Sequence, residues 1–142
     1  MKKTEELTIG EAKLRLQQCK EEYEELSLLF NKEVNLNEQE SNMKGKYVII
    51  RSYDSGVHAG TFVSDKHTLS GRLVILHNSR RIWYWDGAAS LSELAVHGTS
   101  KPDKCKFPCE VKEIEVDRVC EVIPCTDKAE NSIKSVKVWS NA

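Results

Sequence analysis

The sequence lacks a strong net charge, a long apolar run and, near residue 1, the apolar stretch that a signal peptide contains. Its formal net charge of -1 over 142 residues argues against a protein that coats polymeric nucleic acid, which is normally strongly basic. No apolar run approaches the ~20 residues of a membrane span, and the opening MKKTEE has no signal-peptide character. We therefore expect a cytoplasmic protein that engages neither polymeric nucleic acid nor a membrane.

The cysteines lack the spacing of a disulfide or zinc framework. There are five, an odd number, and no secretion signal accompanies them. Structural zinc prefers C-x2-C knuckles, whereas this chain has Cys105-x3-Cys109 and Cys120-x4-Cys125. We expect buried or partly buried free thiols, no metal site and no cofactor.

Familiar catalytic motifs are absent as well. The sequence contains no G-x-S-x-G elbow, P-loop, G-x-G-x-x-G or H-E-x-x-H. None of the four histidines has a carboxylate or cysteine partner at a characteristic spacing. A pairing in space between Cys105 or Cys109 and a histidine cannot be read from sequence. The sequence therefore favours a binding protein over an enzyme.

The first third of the chain reads as an amphipathic helix. Thr8 and Glu11 form a capping box that predicts a helix from about residue 9 to about residue 33. Apolar residues then recur at spacings of 3 and 4, at Ala12, Leu16, Cys19, Tyr23, Leu26 and Phe30. This narrow seam is typical of a coiled coil and predicts a homo-oligomer, a dimer or higher, formed through the helix and the body. Packing on the chain's own domain is the alternative.

The chain divides, on this pattern, into an oligomerising helix at 1–34, a polar linker at 35–44 and a ligand-binding body at 45–142. In the body we expect strands at 47–53 and 57–64, a strand from 72 to 86, a helix after Ser90, one or two strands between 109 and 122, a helix to about 135 and a docked tail or strand. The predicted fold is α+β, with a long N-terminal helix followed by a small antiparallel β-sheet domain with short helices.

The stretch HNSRRIWYWDG, from His77 to Gly87, combines arginines with aromatic rings. Arginine binds phosphate oxygens two at a time, and an aromatic ring stacked on a base is worth ~1–3 kcal/mol. In a strand, Arg81, Trp83 and Trp85 would share one face. Such a face suits a phosphorylated purine, whereas a tryptophan-capped core is the alternative.

Three segments carry a family resemblance: YVIIRSYDSGVHAGTFV, LHNSRRIWYWDGAASLSELAVHGTSKP and EVIPCTDKAENSIKSVKVW. They resemble small phage and prophage proteins, and with the N-terminal helix the chain is similar to the phage Thoeris anti-defence sponges. The resemblance implies an oligomer that binds cyclic ADP-ribose isomers without cleaving them and so blocks bacterial TIR-based immunity in the host cytoplasm. Some members of that family also hold cyclic trinucleotides at a second site.

Carried onto this sequence, the resemblance and the ligand chemistry together implicate a set of ligand-binding residues. They are Arg51, His58, Asn78, Ser79, Arg80, Arg81, Trp83, Trp85, Thr99, Ser100 and Lys101. Two other interpretations stay open. One is a protein-interaction module that inhibits a host protein, because Trp and Arg are common in interface hot spots. The other is a phosphodiesterase that acts on the same signal.

Overall fold

The computed structural model describes residues 8–37 and 42–141, with side chains described for 8–30 and 42–141. The chain divides into two compact units, Met1–Gln39 and Glu40–Ala142. A helix is followed by a five-stranded antiparallel sheet with short helices, so the predicted α+β class is confirmed. None of the described helices combines the length and the apolar character that a membrane crossing requires.

The first unit is the helix α1, Ile9–Asn37. Its capping box forms as predicted, because Glu11 N donates to Thr8 Oγ1 over 3.3 Å and Thr8 N donates to Glu11 Oε2 over 3.2 Å. The helix runs further than expected, so Asn35–Asn37 are helical and not linker. Between Gly10 and Gly45 the sequence has neither glycine nor proline to stop it. Residues 38–41 of the predicted linker lie outside the described residues.

The second unit is built on five strands in the order β4-β3-β2-β1-β5. The strands are β1 (Tyr47–Ser52), β2 (Gly56–Thr68), β3 (Gly71–Arg81), β4 (Val111–Val116) and β5 (Val119–Pro124). The helices are α2 (Leu91–His97) and α3 (Asp127–Ser135), with a 3-10 turn at Pro102–Lys104. Ser90 and Thr126 cap the two helices by accepting from Glu93 N and Ala129 N.

The sheet curls into a half-closed barrel. β4 and β5 lie at opposite edges of the sheet, yet only Asp117 and Arg118 separate them in sequence. Three steps of extended chain span at most about 11 Å, so the two edges must meet at this end. Ser52 Oγ donates to Asp117 O over 2.7 Å and fastens the turn to β1.

The two faces of the curled sheet bury different clusters. The inner face holds Val48, Ile50, Phe62, Val74, Leu76, Val116 and Val119. The outer face packs on α2 and α3, through a cluster that includes Tyr47, Ile49, Ala59, Ile82, Leu94, Phe107 and Ile133. Residues of one strand therefore alternate between the barrel interior and the helix-covered side.

A β-bulge in β3 resets this alternation. Ala59 pairs with Arg80 and Thr61 with His77, so β3 carries one extra residue opposite Gly60. Asn78 supplies the bend with a φ of 49°, a conformation that asparagine tolerates better than most residues. Beyond the bulge, Arg81 pairs with His58, whose β1 partner Ile50 belongs to the inner cluster. Arg81 therefore lies on the inner side and Arg80 on the helix-covered side.

The strand expected to reach residue 86 ends at Arg81 instead. Its partner β2 begins at Gly56, so the segment after Arg81 has almost no neighbouring strand left to pair with. Ile82 N still donates to Val57 O over 2.9 Å, and Tyr84 forms an isolated bridge with Lys106. At the end of the chain Val138 bridges to Phe107, which makes the terminal segment a docked tail.

Candidate ligand-binding site

A cleft of about 190 Å³ opens at the end of the barrel where β4 begins. One wall comes from β2 and β3 and the other from β4 and the loop before it. The lining residues are His58, Ser79, Arg81, Pro108, Cys109, Val111 and Ile114. The structure thus brings together three of the predicted ligand-binding residues, His58, Ser79 and Arg81.

Ser79 lines this cleft and has a buried hydroxyl without a partner among the described residues. The residue is 2% exposed, and its Oγ has no hydrogen-bond partner among the described residues. Leaving a buried hydroxyl unpaired costs about 1–3 kcal/mol, so its place beside a cleft is informative. The bulge positions it: a Cβ at Gly60 would lie 3.0 Å from Ser79 Cα and 3.0 Å from His77 O. Glycine at position 60 therefore permits the close approach of the bulge.

His58 forms the neutral polar wall of the cleft. It is 1% exposed, and its Nε2 lies 3.0 Å from Ser55 Oγ. Burial, reinforced by the nearby Arg81 guanidinium, lowers the pKa of His58 to about 4. The imidazole is therefore uncharged at neutral pH, and Arg81 is the only cation among the described residues that line the cleft.

Arg80 does not reach the cleft, contrary to the expectation that it contacts ligand. It is 3% exposed and donates from Nε to Pro108 O, from Nη1 to Ile133 O and Val136 O, and from Nη2 to Phe107 O, over 2.8 to 3.1 Å. The bulge directs it to the helix-covered side. There its guanidinium ties β3 to α3 and to the loop before β4.

The tryptophans also lie away from the cleft-lining set. Trp83 is 64% exposed, whereas Trp85 is half-buried against the core cluster beneath α2 and α3. The sequence predicted that both indoles share a face with Arg81 on one unbroken strand. β3 ends before both tryptophans, so this prediction is wrong. Neither indole is sealed in the interior.

The loop residues Thr99, Ser100 and Lys101 clamp a turn. Thr99 Oγ1 donates to Asp86 O, Ser100 Oγ donates to Gly87 O, and Lys101 Nζ lies 3.7 Å from Asp86 Oδ1. The hydroxyls of Thr99 and Ser100, which were expected to bind phosphate, are thus engaged by this turn, whereas the Lys101 side chain stays 60% exposed. Their packing leaves no space at Gly87, where a Cβ would lie 2.5 Å from Lys101 N.

Arg51 and Asn78 complete the predicted set. Arg51 is exposed on β1 and lies 3.8 Å from a Glu121 carboxylate oxygen. It alternates with Ile50 along the strand and so faces away from His58 and Arg81. Asn78 is exposed at the bulge and acts through its backbone bend.

Residues 45–133 match a family described as a domain of unknown function, DUF6948. The chain belongs to the DUF6948 family. No curated protein and no solved structure matches the chain. The DUF6948 match contains all five strands and every residue that lines the cleft, and it ends within α3.

Sequence reasoning missed the second wall of the DUF6948 cleft, formed by Pro108, Cys109, Val111 and Ile114. Their place depends on β4 pairing with β3, through Ser79 and Val111 among others. That pairing joins segments about thirty residues apart and leaves no local signal. Of these four residues, the sequence singles out only Cys109, as a thiol that could meet a histidine in space.

The cysteines of this DUF6948 chain are all free thiols, and all five lie in the described part of the chain. Cys105 is buried and Cys125 is half-buried, as expected of free thiols. Burial raises the pKa of Cys125 to about 12. The expectation of burial is wrong for Cys19, Cys109 and Cys120, which are exposed.

Proposed function

We propose that this chain binds a small phosphorylated nucleotide at the cleft of its DUF6948 domain and sequesters it without cleaving it. One observation carries the proposal: His58, which is uncharged, Arg81, which is cationic, and Ser79, whose hydroxyl has no partner among the described residues, all line a single cleft. The guanidinium of Arg81 offers a planar fork for phosphate oxygens. Ser79, in the same lining, has a buried hydroxyl with no partner among the described residues, which a ligand could satisfy once the side chain turns toward it.

The ligand we propose is a cyclic ADP-ribose isomer, and the biological role is that of a phage sponge. The support is that the segments around His58 and Arg81 resemble small phage and prophage proteins, and that the chain with its N-terminal helix is similar to the Thoeris anti-defence sponges. In this role the protein acts in the host cytoplasm and holds the signal before the bacterial effector receives it. A stoichiometric sponge must bind below the signalling concentration, which means a nanomolar Kd or about -12 kcal/mol.

The size of the cleft limits how much of the ligand one chain can enclose. Small-molecule sites usually enclose about 300–1,000 Å³, which exceeds the 190 Å³ found here. A dinucleotide-sized ligand therefore extends past the mouth. We propose that a second copy of the chain completes the enclosure in an oligomer held by α1 and the body.

The polar groups at the cleft suit binding more than turnover. His58 is uncharged and its Nε2 is engaged by Ser55 Oγ. Cys109 lines the same cleft, which gives the enzymatic alternative a defined nucleophile to test. The Cys109→Ala variant therefore belongs in the functional assay.

A second candidate, the inhibition of a host protein, is favoured by exposed aromatic residues outside the cleft. Trp83 is 64% exposed, Tyr84 49% and Trp139 41%. Lys106 Nζ lies 6.0 Å from the Tyr84 ring and 5.6 Å from the Trp139 ring. Aromatic and cationic groups of this kind dominate many protein interfaces.

Thermal shift with a nucleotide panel separates these functions, because a ligand that binds only the folded state raises the melting temperature. We expect cyclic ADP-ribose isomers to stabilise the wild type and the Cys109→Ala variant equally. Heating the complex should then release the ligand with unchanged mass. Hydrolysed ligand that depends on Cys109 would establish an enzyme instead. The absence of any shift across the panel would favour the protein-interaction module.

A further inference from the structure

We infer that the barrel cleft receives the flat, uncharged purine ring of the ligand and that the phosphates stay outside, at the rim, on Arg81. The inference rests on the proposed function and adds the direction in which the nucleotide enters. It also departs from the sequence-based expectation, in which the indoles of Trp83 and Trp85 hold the adenine.

The volume of the cleft fits one ring system. An apolar cavity of about 150 Å³ is known to hold benzene, and the cleft here is somewhat larger at about 190 Å³. A single flat ring system is therefore the most that the cleft can enclose, and a base together with its ribose and pyrophosphate does not fit. Only one part of a nucleotide can occupy the cleft.

The walls of the cleft select the base over the phosphate. Pro108, Val111 and Ile114 form an apolar surface, and His58 beside them is uncharged. A phosphate placed among them would lose its hydration and gain only the guanidinium of Arg81. That exchange is costly for a doubly charged group. A purine ring loses little hydration on the same surface and gains apolar contact.

Ser79 provides a hydrogen-bonding group for the edge of the ring. Its hydroxyl is buried and has no hydrogen-bond partner among the described residues, and the residue lines the cleft. A hydroxyl both donates and accepts, so it can pair with a ring nitrogen or with an exocyclic amine. The exposed Arg81, at the same cleft, is then left for phosphate oxygens in solvent.

Calorimetric titration with adenosine, adenosine 5′-monophosphate, ribose 5-phosphate and cyclic ADP-ribose tests this orientation. We expect adenosine 5′-monophosphate to bind at least tenfold more tightly than ribose 5-phosphate. Ser79→Ala should weaken all three adenine-containing ligands about two- to tenfold, the range of one neutral hydrogen bond. Ser100→Ala is the matched control, because its hydroxyl bonds to Gly87 O outside the cleft lining.

A second variant blocks the cleft physically. Val111 is 41% exposed at the mouth, and Val111→Trp should abolish adenosine binding, whereas Val96→Trp at a similarly exposed position of α2 should not. Arg81→Ala should weaken adenosine 5′-monophosphate far more than adenosine.

Two results overturn the orientation while the sponge stands: ribose 5-phosphate binding as tightly as adenosine 5′-monophosphate, or adenosine binding that survives Val111→Trp. If none of the four ligands binds the wild type, both the proposed function and the proposed orientation are contradicted.

Discussion

Arg80 and Arg81 are neighbours in β3 and lie on opposite sides of the sheet. Arg80 is 3% exposed and donates to four backbone carbonyls, whereas Arg81 is exposed at the cleft beside His58. The bulge at Asn78 decides which of the two points inward. One arginine therefore stabilises the fold, and its neighbour is available to a ligand.

Replacing Arg80 should be strongly destabilising. Arg80→Met leaves the carbonyls of Phe107, Ile133 and Val136 without their buried donor, and we expect a loss of about 3–5 kcal/mol in the free energy of unfolding. Urea denaturation measures this loss. Arg51→Met, at an exposed site with one long ion pair, should change stability by less than about 1 kcal/mol. Equal effects of the two variants would show that the Arg80 contacts are not structural.

His58 should make the fold sensitive to acid. Its folded pKa of about 4 lies below the usual 6.5. The unfolded chain therefore takes up the proton first as the pH falls. The contribution of the neutral His58 to the free energy of unfolding is fully present above pH 6.5. It is lost progressively as the pH falls toward 4, by at most about 3 kcal/mol. His58→Gln should flatten the stability profile in this window, and His67→Gln, at an exposed site, should not. An unchanged profile for His58→Gln would contradict the assignment of a buried neutral imidazole.

Gly60 should be sensitive to the smallest enlargement. A methyl group there would press on His77 O and on Ser79, each 3.0 Å away. We expect Gly60→Ala to cost about 1–3 kcal/mol of unfolding free energy and to weaken nucleotide binding, since Ser79 must shift. Gly10→Ala is the control, because nothing lies within 4 Å of the added carbon. A Gly60→Ala protein with wild-type stability and affinity would show that the close approach at the bulge does not position Ser79.

The helix α1 should support self-association through one stripe. Leu26 lies on the predicted seam and is 65% exposed, whereas Leu14 lies off the seam and is 62% exposed. A charge on the seam is desolvated in an oligomer, so Leu26→Glu should shift sedimentation toward the monomer. Leu14→Glu should leave the distribution unchanged. A wild-type protein that sediments as a monomer at all concentrations would contradict the proposed assembly.

Local signals in the sequence located most elements of the fold. The Thr8–Glu11 capping box and the helix start after Ser90 are both present in the structure. Each is set by contacts within four residues, which is why sequence pattern finds it. The extent of α1 was underestimated, because polar residues alone do not end a helix.

The candidate site was predictable only in part. His58, Ser79 and Arg81 were expected from the family resemblance together with the ligand chemistry, and they share a cleft. Alternation within HNSRRIWYW could not show that Arg80 would be buried, since the direction of each side chain depends on an irregularity opposite Gly60. The wall from β4 and the curl of the sheet depend on pairing between distant segments, which a single sequence does not display.

The central claim, that Arg81 and the cleft beside it bind a phosphorylated nucleotide, is tested most directly by titrating cyclic ADP-ribose isomers into three proteins. We predict nanomolar binding by the wild type and a loss of about 10- to 100-fold in Arg81→Ala, the range of charge-assisted hydrogen bonds to phosphate. The unliganded melting temperature should stay within a few degrees. Arg51→Ala removes the same charge from the other side of the sheet and should bind like the wild type. Equal affinity in all three proteins, or no binding by the wild type, would contradict the account.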